Sequence, residues 1–353
     1  MIKKKTILTI LLIVCILNVF SVVFMSGINA YSDDSSEIVM EVNSNRILHA
    51  KNIKDKRFMA STTKILTAIT IIENCELDKV VTVTKDSVGV EGSSIYLKEG
   101  EKLSIKDLLY GLMLRSGNDC AETLALACSG SLIEFADLMN KTAKKIGANN
   151  SNFVNPHGLH NDNHYTTAYD LALISCYSMK NETFREIVST KQIRISNSLE
   201  NYDRVLINKN KMLKEFEGSN GIKTGYTKKA GRCLVSSCVR NGMELVCVVL
   251  NCPPMFERSK SLLTSCYQNY KLYKLVESDN VLGFVENNEN ENFALCVKND
   301  IVLPLTEQEY NDLEIIYNYP KTIGTVNNEQ IVGFVEIYCQ KNLIFKEKIY
   351  TIL

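Results

Sequence analysis

Three short motifs contain the residue types needed for acyl transfer through a serine. In chain order they are Ser61-Thr62-Thr63-Lys64, Ser116-Gly117-Asn118 and Lys223-Thr224-Gly225. The first motif offers a hydroxyl and an amine, the second a hydroxyl and an amide, and the third a cation and a hydroxyl beside a glycine. The S-x-x-K pattern alone is a weak signal in a chain rich in Ser and Lys. Three such motifs in this order indicate serine-dependent acyl transfer.

The first motif lies where a helix is predicted to begin. Residues 62–75 are apolar at helical spacing and contain no Gly or Pro, so Ser61 falls in the N-cap region. A spacing of three places Ser61 and Lys64 on one helix face, one turn apart. Lys64 can take the serine proton only if burial or a neighbouring cation such as Lys223 lowers its pKa. The alternative is an ordinary N-cap serine, and the two later motifs outweigh it.

The other two motifs have both a structural and a chemical interpretation. Ser116 to Asn118 are turn-forming residues after an apolar helical pattern, yet Ser116 could relay a proton and Asn118 could contact a substrate amide. The third motif could be a strand with a glycine bend. We expect instead that Lys223 and Thr224 lie on a strand edge beside the serine and bind a carboxylate. Gly225 would let the substrate approach the backbone closely.

The N-terminus predicts export. Three lysines at positions 3–5 precede an uncharged run over residues 6–25, and Ala30 stands before a polar segment. This order is typical of a secretory signal over residues 1–30. The run is also close to the roughly 20 residues that span a bilayer, so a retained membrane anchor is the alternative. Either way, the rest of the chain is expected outside the cytoplasm, at the membrane or cell wall, or secreted.

The charge balance and the cysteine content of the chain limit which functions and which disulfides are expected. The chain has 353 residues, 45% of them hydrophobic, and 40 basic residues balance 40 acidic ones. A net charge of zero gives no electrostatic basis for binding nucleic acid. Twelve cysteines include Cys15 in the signal segment, and the remaining eleven cannot all pair within one chain. Most lie in apolar runs and are expected to be unpaired core thiols, with one disulfide as the alternative.

The order of patterns predicts an α+β fold. Two strands precede a block of helices, further strands and a closing helix over residues 259–275, which is typical of an antiparallel sheet with helices packed on it. After residue 278, short apolar segments separated by polar turns indicate a small all-β domain. We therefore predict a catalytic domain over residues 31–276 and a β-rich domain over residues 277–353.

Three histidines lie close together in the sequence, which raises the question of a metal site, but their spacing argues against one. His157, His160 and His164 lie close together in a loop that contains Pro and Gly. The spacing is not H-E-x-x-H, and such a loop does not place the ligands on a helix face. We therefore predict no metal and no other cofactor.

The residues around these motifs resemble a known family. The segments that carry the likeness are Met59–Ala68, Leu109–Ala121, Phe153–Leu159, His164–Ala172, and Gly221–Thr227 with Ala230-Gly231. Together they resemble the low-molecular-mass penicillin-binding proteins, which are serine-type D-alanyl-D-alanine carboxypeptidases (peptidase family S11). The likeness covers residues 37–275, and the β-rich tail is similar to the family's second domain. It implies a domain of the serine β-lactamase/DD-peptidase type.

The resemblance also implies catalytic roles. Ser61 would attack the carbonyl between the two D-alanines that end a peptidoglycan stem peptide, and Lys64 would accept its proton. The backbone N–H groups of Ser61 and Tyr226 would form the oxyanion hole. Ser116 would relay a proton to the leaving D-alanine, while Asn118 would orient the substrate and Lys64.

It implies binding roles as well. Lys223 and Thr224 would hold the terminal carboxylate of the substrate, assisted by Arg258, and Gly225 and Tyr226 would also belong to the substrate-binding residues. β-Lactam antibiotics would mimic the substrate and acylate Ser61. Family members often end in an amphipathic membrane-binding helix, whereas residues 346–353 of this chain form a strand pattern. Membrane association is therefore expected only through the N-terminal segment.

Two other functions compete with this one. A β-lactamase would share the acylation step, but class A enzymes need a glutamate for deacylation, and no E-x-x-L-N segment lies between Ser116 and Lys223. A non-catalytic penicillin-binding sensor or wall-scaffold protein is disfavoured because all three motifs are chemically complete. The sequence leaves open the balance between carboxypeptidase and endopeptidase, since both cleave D-alanyl amides.

Overall fold

The computed structural model describes residues 34–200, 202–278 and 280–352. The predicted signal or anchor segment, residues 1–30, lies outside the described residues. Within the described ranges, no helix is both long enough and apolar enough to cross a membrane.

The described residues form sixteen strands and nine α-helices. The strands are β1 (Ser36–Glu41), β2 (Ile47–Lys51), β3 (Val80–Thr82), β4 (Lys102–Ser104), β5 (Gln192–Ile195), β6 (Arg204–Ile207), β7 (Ser219–Thr227), β8 (Gly231–Arg240), β9 (Met243–Leu250), β10 (Lys271–Val276), β11 (Gly283–Glu286), β12 (Asn292–Cys296), β13 (Ile301–Leu305), β14 (Leu313–Asn318), β15 (Ile331–Cys339) and β16 (Asn342–Ile352). The α-helices are α1 (Lys64–Asn74), α2 (Ile105–Tyr110), α3 (Asn118–Ser129), α4 (Leu132–Ile146), α5 (Ala168–Met179), α6 (Glu182–Ser189), α7 (Met212–Glu215), α8 (Met255–Asn269) and α9 (Glu307–Asn311).

A five-stranded antiparallel sheet of order β2-β1-β9-β8-β7 forms the centre of the first part of the chain. Every residue of β9 is buried, because helix α5 packs on one stretch of β1 and β9 and helix α8 packs on β8 and β9. A strand covered in this way is an almost continuous apolar run. Strand β7 has a partner on one side only and leaves an edge free.

Helix α1 lies within the helical layer, packed against α3, α4 and α5. Its residues from Lys64 to Ile71 are all buried, which is typical of a helix that is surrounded by other elements. A 3₁₀ turn, Ala60–Thr63, precedes it. The predicted start of this helix is therefore confirmed, with its first turn wound more tightly than an α-helix.

Helix α4 shows how local sequence sets the ends of an element. The Ser131 side chain accepts a hydrogen bond from the Glu134 N–H at the start, and Gly147 ends the helix at φ 96°. Gly is favoured there because it adopts the left-handed region without strain. The apolar pattern of residues 132–146 and the glycine that follows it predict the same helix that the structure shows.

The last part of the chain has a separate core. Strands β11, β12, β16, β15 and β14 form a second five-stranded sheet, and β10 pairs with β13. Their buried apolar residues form a cluster of their own, which includes Val285, Leu295, Val335 and Ile349. The structure thus has the predicted α+β arrangement followed by a small all-β region.

The predicted closing helix over residues 259–275 is wrong in its extent. Helix α8 covers Met255–Asn269, and the chain then continues as β10. Short apolar runs such as Leu272 to Val276 fit either helix or strand by periodicity alone, and pairing with β13 decides for strand. The division at residues 276 and 277 stays a prediction, and the pairing favours a boundary just before β10.

Candidate active site

Lys64 brings the first two motifs together. Its Nζ lies 3.1 Å from Ser61 Oγ, 2.7 Å from Asn118 Oδ1 and 2.6 Å from the His157 carbonyl oxygen. The side chain of Asn118 is oriented by its other end, because Nδ2 donates to the Glu91 carbonyl at 2.5 Å. Ser61 does not act as a helix cap, since the 3₁₀ turn and α1 have no side-chain cap. Its hydroxyl faces the amine instead.

The surroundings of Lys64 favour its neutral form. The side chain is fully buried, and burial, followed by the nearby charge of Lys223, lowers its pKa well below the ordinary value. A neutral amine has two N–H groups and one lone pair. Asn118 Oδ1 and the His157 carbonyl can only accept, so they take the two N–H groups. The lone pair is then left for the Ser61 hydroxyl.

Lys223 is the second buried lysine of the site. Burial, and then the charge of Lys209, lowers its pKa to about 7. Its Nζ donates to the Thr224 carbonyl at 3.0 Å. A lysine with this pKa changes its charge near neutral pH, so its attraction for a carboxylate depends on pH.

Ser116 sits at a strained point of the chain. Helix α2 continues into a π-helical turn, Gly111–Arg115, and Ser116 follows at φ 65° and ψ 33°. Non-glycine residues in this left-handed region, and π-helical turns, are both common at functional sites. The Asn118 N–H donates to the Ser93 carbonyl at 2.7 Å, which fixes the start of α3. Ser116 is 5% exposed, so its hydroxyl is sheltered from bulk water.

Gly225 places strand β7 against the nucleophile turn. A Cβ at this position would lie 3.0 Å from the Met59 carbonyl oxygen and 3.1 Å from the backbone nitrogens of Ser61 and Thr62. Only a glycine permits this approach without movement of the turn. The next residue, Tyr226, is 63% exposed to solvent. The third motif is therefore beside the first, as predicted.

Arg258 is not placed with the other predicted site residues. It lies on α8, and its Nη2 binds the buried carboxylate of Glu37 on β1 at 2.6 Å. Two strands, β9 and β8, separate β1 from β7, which corresponds to about 14 Å between their backbones. The guanidinium of Arg258 is therefore engaged by a buried acid rather than placed beside the third motif, and its assistance in binding the substrate carboxylate stays a prediction.

His157 belongs to the site through its backbone. Its carbonyl accepts from Lys64, its Nδ1 accepts from the Leu159 N–H at 3.1 Å, and its Nε2 lies 3.2 Å from Glu122 Oε1. Gly158 brings this loop against the nucleophile turn, since a Cβ there would lie 1.9 Å from the Ala60 carbonyl oxygen. The His157 side chain therefore holds its own loop in place. Sequence reasoning missed this role, although the Pro and Gly around His157 signal a specific turn.

Two more residues of the site were missed. The Asp119 carboxylate accepts from the Ser94 hydroxyl at 2.5 Å and from the Leu97 N–H at 3.0 Å, which holds the segment that binds Asn118. Lys209 Nζ lies 3.2 Å from Ser93 Oγ, and its charge acts on Lys64 and Lys223. Asp119 adjoins the second motif and could have been noticed there. Lys209 has no local signal.

Comparison with known proteins agrees with this geometry. Residues 28–253 match a family model described as D-alanyl-D-alanine carboxypeptidase, and residues 270–352 match one described as Penicillin-binding protein 5, C-terminal domain. D-alanyl-D-alanine carboxypeptidase DacF of Bacillus subtilis is 33% identical over 252 residues, which are 68% of this chain and 64% of that relative. The match thus spans slightly less than two thirds of DacF.

Two further relatives are matched over more of their length. D-alanyl-D-alanine carboxypeptidase DacD of Salmonella typhimurium is 27% identical over 340 residues, 91% of this chain and 86% of that protein. The crystal structure of penicillin binding protein 5 from Haemophilus influenzae superposes with a TM-score of 0.78 at 25% identity. That superposition covers 90% of this chain and 96% of the other.

Proposed function

Because the chain belongs to the D-alanyl-D-alanine carboxypeptidase family, we propose that it removes the terminal D-alanine from peptidoglycan stem peptides through an acyl-enzyme on Ser61. One observation carries the proposal: the buried amine of Lys64 has two acceptor-only partners and, as its third partner, the Ser61 hydroxyl 3.1 Å away. A serine is a weak nucleophile until such a base takes its proton.

Acylation begins with that proton transfer. The Ser61 oxygen attacks the carbonyl carbon between the two D-alanines, and the Ser61 proton moves to the Lys64 lone pair. The negative charge that develops on the carbonyl oxygen needs hydrogen-bond donors. Ser61 N lies in the first turn of a helical segment, where backbone N–H groups have no intrahelical acceptor. The approach of β7 at Gly225 supports Tyr226 N–H as the second donor.

The leaving D-alanine must receive a proton. Lys64, now protonated, is the source, and Ser116 is the proposed relay to the departing amine. Among the described residues, the Ser116 side chain has no hydrogen-bond partner in the resting site, which leaves it available to the substrate. Water then attacks the Ser61 ester, and Lys64 again acts as base. Asn118 holds the amine in place throughout these steps.

The terminal carboxylate of the substrate is assigned to the third motif. Lys223 supplies a cation and Thr224 a hydroxyl at the edge of β7 that faces the nucleophile turn. Charge-assisted hydrogen bonds of this kind are short and strong. Lys209 adds positive potential at the same place. A substrate without a free carboxylate is expected to bind less well, which favours carboxypeptidase over endopeptidase activity.

The partners follow from this chemistry. Stem peptides that end in D-Ala-D-Ala are the proposed substrates, and β-lactam antibiotics are proposed to acylate Ser61 as slowly hydrolysed analogues. The site would act outside the cytoplasm, where peptidoglycan lies, and export would rest on the signal or anchor predicted for residues 1–30. Nucleic acid is not proposed as a partner, because the chain has 40 basic and 40 acidic residues and so no net positive charge.

Release of D-alanine tests the proposal. The protein is incubated with a peptide ending in D-Ala-D-Ala, and free D-alanine is measured for the unmutated chain, for Ser61→Ala and for Ser265→Ala, which changes an exposed serine of α8. We expect release by the first and the third only. D-alanine release by Ser61→Ala at the unmutated rate would overturn the proposal. Rapid hydrolysis of penicillin without D-alanine release would favour the β-lactamase alternative.

A further inference from the structure

The C-terminal ends of α1 and α3 carry two neighbouring thiols. Cys75 is the residue that follows α1, and Cys128 lies in the last turn of α3. The two helices pack on each other, and both cysteines pack against the same apolar core while staying partly exposed. The two side chains interact with each other by hydrogen bonding and by charge, which is consistent with their place at the same ends of two packed helices.

The pair differs from the other cysteines in the described part of the chain. Eight of these are buried, namely Cys120, Cys176, Cys233, Cys238, Cys247, Cys252, Cys266 and Cys339. Within the same described ranges, Cys296 on β12 is the one other partly exposed thiol. Buried thiols in apolar surroundings are inert. Cys75 and Cys128 therefore combine access to reagents with access to each other.

We propose that Cys75 and Cys128 are a redox-modification site, and that they form a disulfide on exposure to a disulfide oxidant, either a small-molecule disulfide or the disulfide of an exported thiol oxidoreductase. A disulfide needs its two sulfur atoms about 2.05 Å apart, and thiols already in contact reach this separation with small side-chain movements. The odd number of cysteines does not oppose a single pair.

Local charge assigns the roles of the two sulfurs. Hydrogen bonding from Cys75 is the main cause that lowers the pKa of Cys128, to about 7, and the ammonium group of Lys79 acts in the same direction. The same interaction raises the pKa of Cys75. Cys128 is thus the thiol of the pair that loses its proton more readily, and the thiolate is the reactive form.

The oxidation balances in two exchanges. The Cys128 thiolate attacks one sulfur of the oxidant, whose S–S bond breaks and releases one oxidant thiolate. Cys75 then loses its proton to solvent, and its thiolate attacks the Cys128 sulfur and releases the second oxidant thiolate. One S–S bond forms in the protein and one is broken in the oxidant. Two electrons pass to the oxidant, which is reduced to two thiols.

The bond would join the ends of two helices whose beginnings carry catalytic groups. Lys64 opens α1 and Asn118 opens α3, so the disulfide would lie about 16 Å from Lys64 along an 11-residue helix. Joining positions 75 and 128 closes a loop of about 50 residues, which restricts the unfolded chain. We therefore expect higher thermal stability in the oxidised protein, with no loss of acylation by penicillin.

The first test maps the cysteines of the unmutated full chain. The protein is incubated with oxidised glutathione at pH 8, unfolded in a thiol-alkylating reagent, digested and analysed by mass spectrometry. We expect a cross-linked peptide pair containing Cys75 and Cys128, which dithiothreitol removes. Glutathione adducts without that pair, pairing of either residue with another cysteine, or two alkylated thiols would each overturn the proposal.

Variants and thermal melting supply the second test. Oxidation should raise the Tm of the unmutated protein by roughly 5 °C or more, which dithiothreitol should reverse. The matched control Cys296→Ser should keep both the cross-link and this shift, whereas Cys128→Ser should lose both. Lys79→Gln should slow formation of the cross-link several-fold. An oxidation-dependent shift that persists in Cys128→Ser would contradict the assignment.

Discussion

Lys64 Nζ and Asn118 Oδ1 are 2.7 Å apart, although 54 residues separate them in the chain. The Asn118 amide can offer only its oxygen to the amine, because its nitrogen donates to the Glu91 carbonyl. This contact joins the first motif to the second and takes one N–H of a buried amine. Replacing the Asn118 amide by a carboxylate should therefore change the pKa of Lys64 strongly, while the Lys64 side chain should stay in nearly the same place.

Asn118→Asp tests that relationship. A carboxylate beside Lys64 would stabilise the ammonium form and raise the pKa of Lys64, since an opposite charge within about 4–6 Å favours the charged state by 1–3 pKa units. In a plot of acylation rate against pH, the acid limb should move to higher pH. At pH values below that limb, the acylation rate should be at least tenfold lower than in the unmutated protein. The rate is measured with a fluorescent penicillin. Asn118→Ala, which adds no charge, should lose rate without this upward move.

Lys64→Arg tests the base itself. Guanidinium keeps the positive charge but does not lose a proton in a protein, so Ser61 would have no base. Acylation should fall by at least about 10²-fold, the low end for the loss of a general base. The second-order rate constant of penicillin labelling is the measurement. A decrease of less than about tenfold would mean that another group takes the serine proton.

Substrate binding should weaken as the pH rises past neutrality. Lys223 is charged below its pKa of about 7 and neutral above it, so attraction for a carboxylate is present at acid pH and lost at alkaline pH. Binding of a D-Ala-D-Ala peptide to Ser61→Ala, measured by calorimetry, should fall about 10–100-fold between pH 6 and pH 9. In the background of Lys223→Arg, the same titration should be nearly flat. An unchanged Kd across this range in the Lys223 protein would remove Lys223 from carboxylate recognition.

The predicted fold and the observed one agree where local sequence decides. The helix over residues 132–146 ends at Gly147 because a left-handed residue is needed there, and the start of α1 follows from apolar spacing. Family recognition from the three motifs and the α+β fold with its β-rich end are confirmed by the matched models and relatives, which are described as D-alanyl-D-alanine carboxypeptidases and penicillin-binding proteins. The individual roles of the site residues remain predictions.

Long-range contacts explain the parts that were not predicted. The His157 carbonyl reaches Lys64 across 93 positions, and nothing in the local sequence indicates a backbone ligand for a base. No local pattern links Arg258 to its partner Glu37, which is buried and 221 positions away in the chain. The apolar pattern of β10 fits helix and strand alike, and only its pairing with β13 distinguishes the two.

Gly158→Ala should damage the site through its backbone. The added Cβ would lie 1.9 Å from the Ala60 carbonyl oxygen, at a residue with φ 88°, so the nucleophile turn or the His157 loop must move. Gly89→Ala is the matched control, because Gly89 also has a positive φ, of 75°, and open space around it. The control should cost roughly 1–2 kcal/mol in unfolding free energy and keep its rate of penicillin labelling. Equal behaviour of the two variants would contradict the close approach.

A chain that ends at Ser278 should still be acylated by penicillin, because all three motifs lie before it. Loss of the β-rich region would remove the contact of Arg46 with Glu309 and leave β10 without β13, so a lower Tm is expected. A chain ending at Tyr270, which lacks β10, is the companion variant and should label equally. If either protein is folded, as judged by circular dichroism, but is not acylated by penicillin, the β-rich region contributes to the site.

The position of the acyl group tests the central claim most directly. The protein is incubated with benzylpenicillin, unfolded in acid, digested and mapped by tandem mass spectrometry. The account predicts one penicilloyl group per chain, carried on the side-chain oxygen of Ser61 in the peptide that contains Ser61-Thr62-Thr63-Lys64. An adduct on Ser116 or on any other hydroxyl, or undiminished labelling of Ser61→Ala, would contradict it.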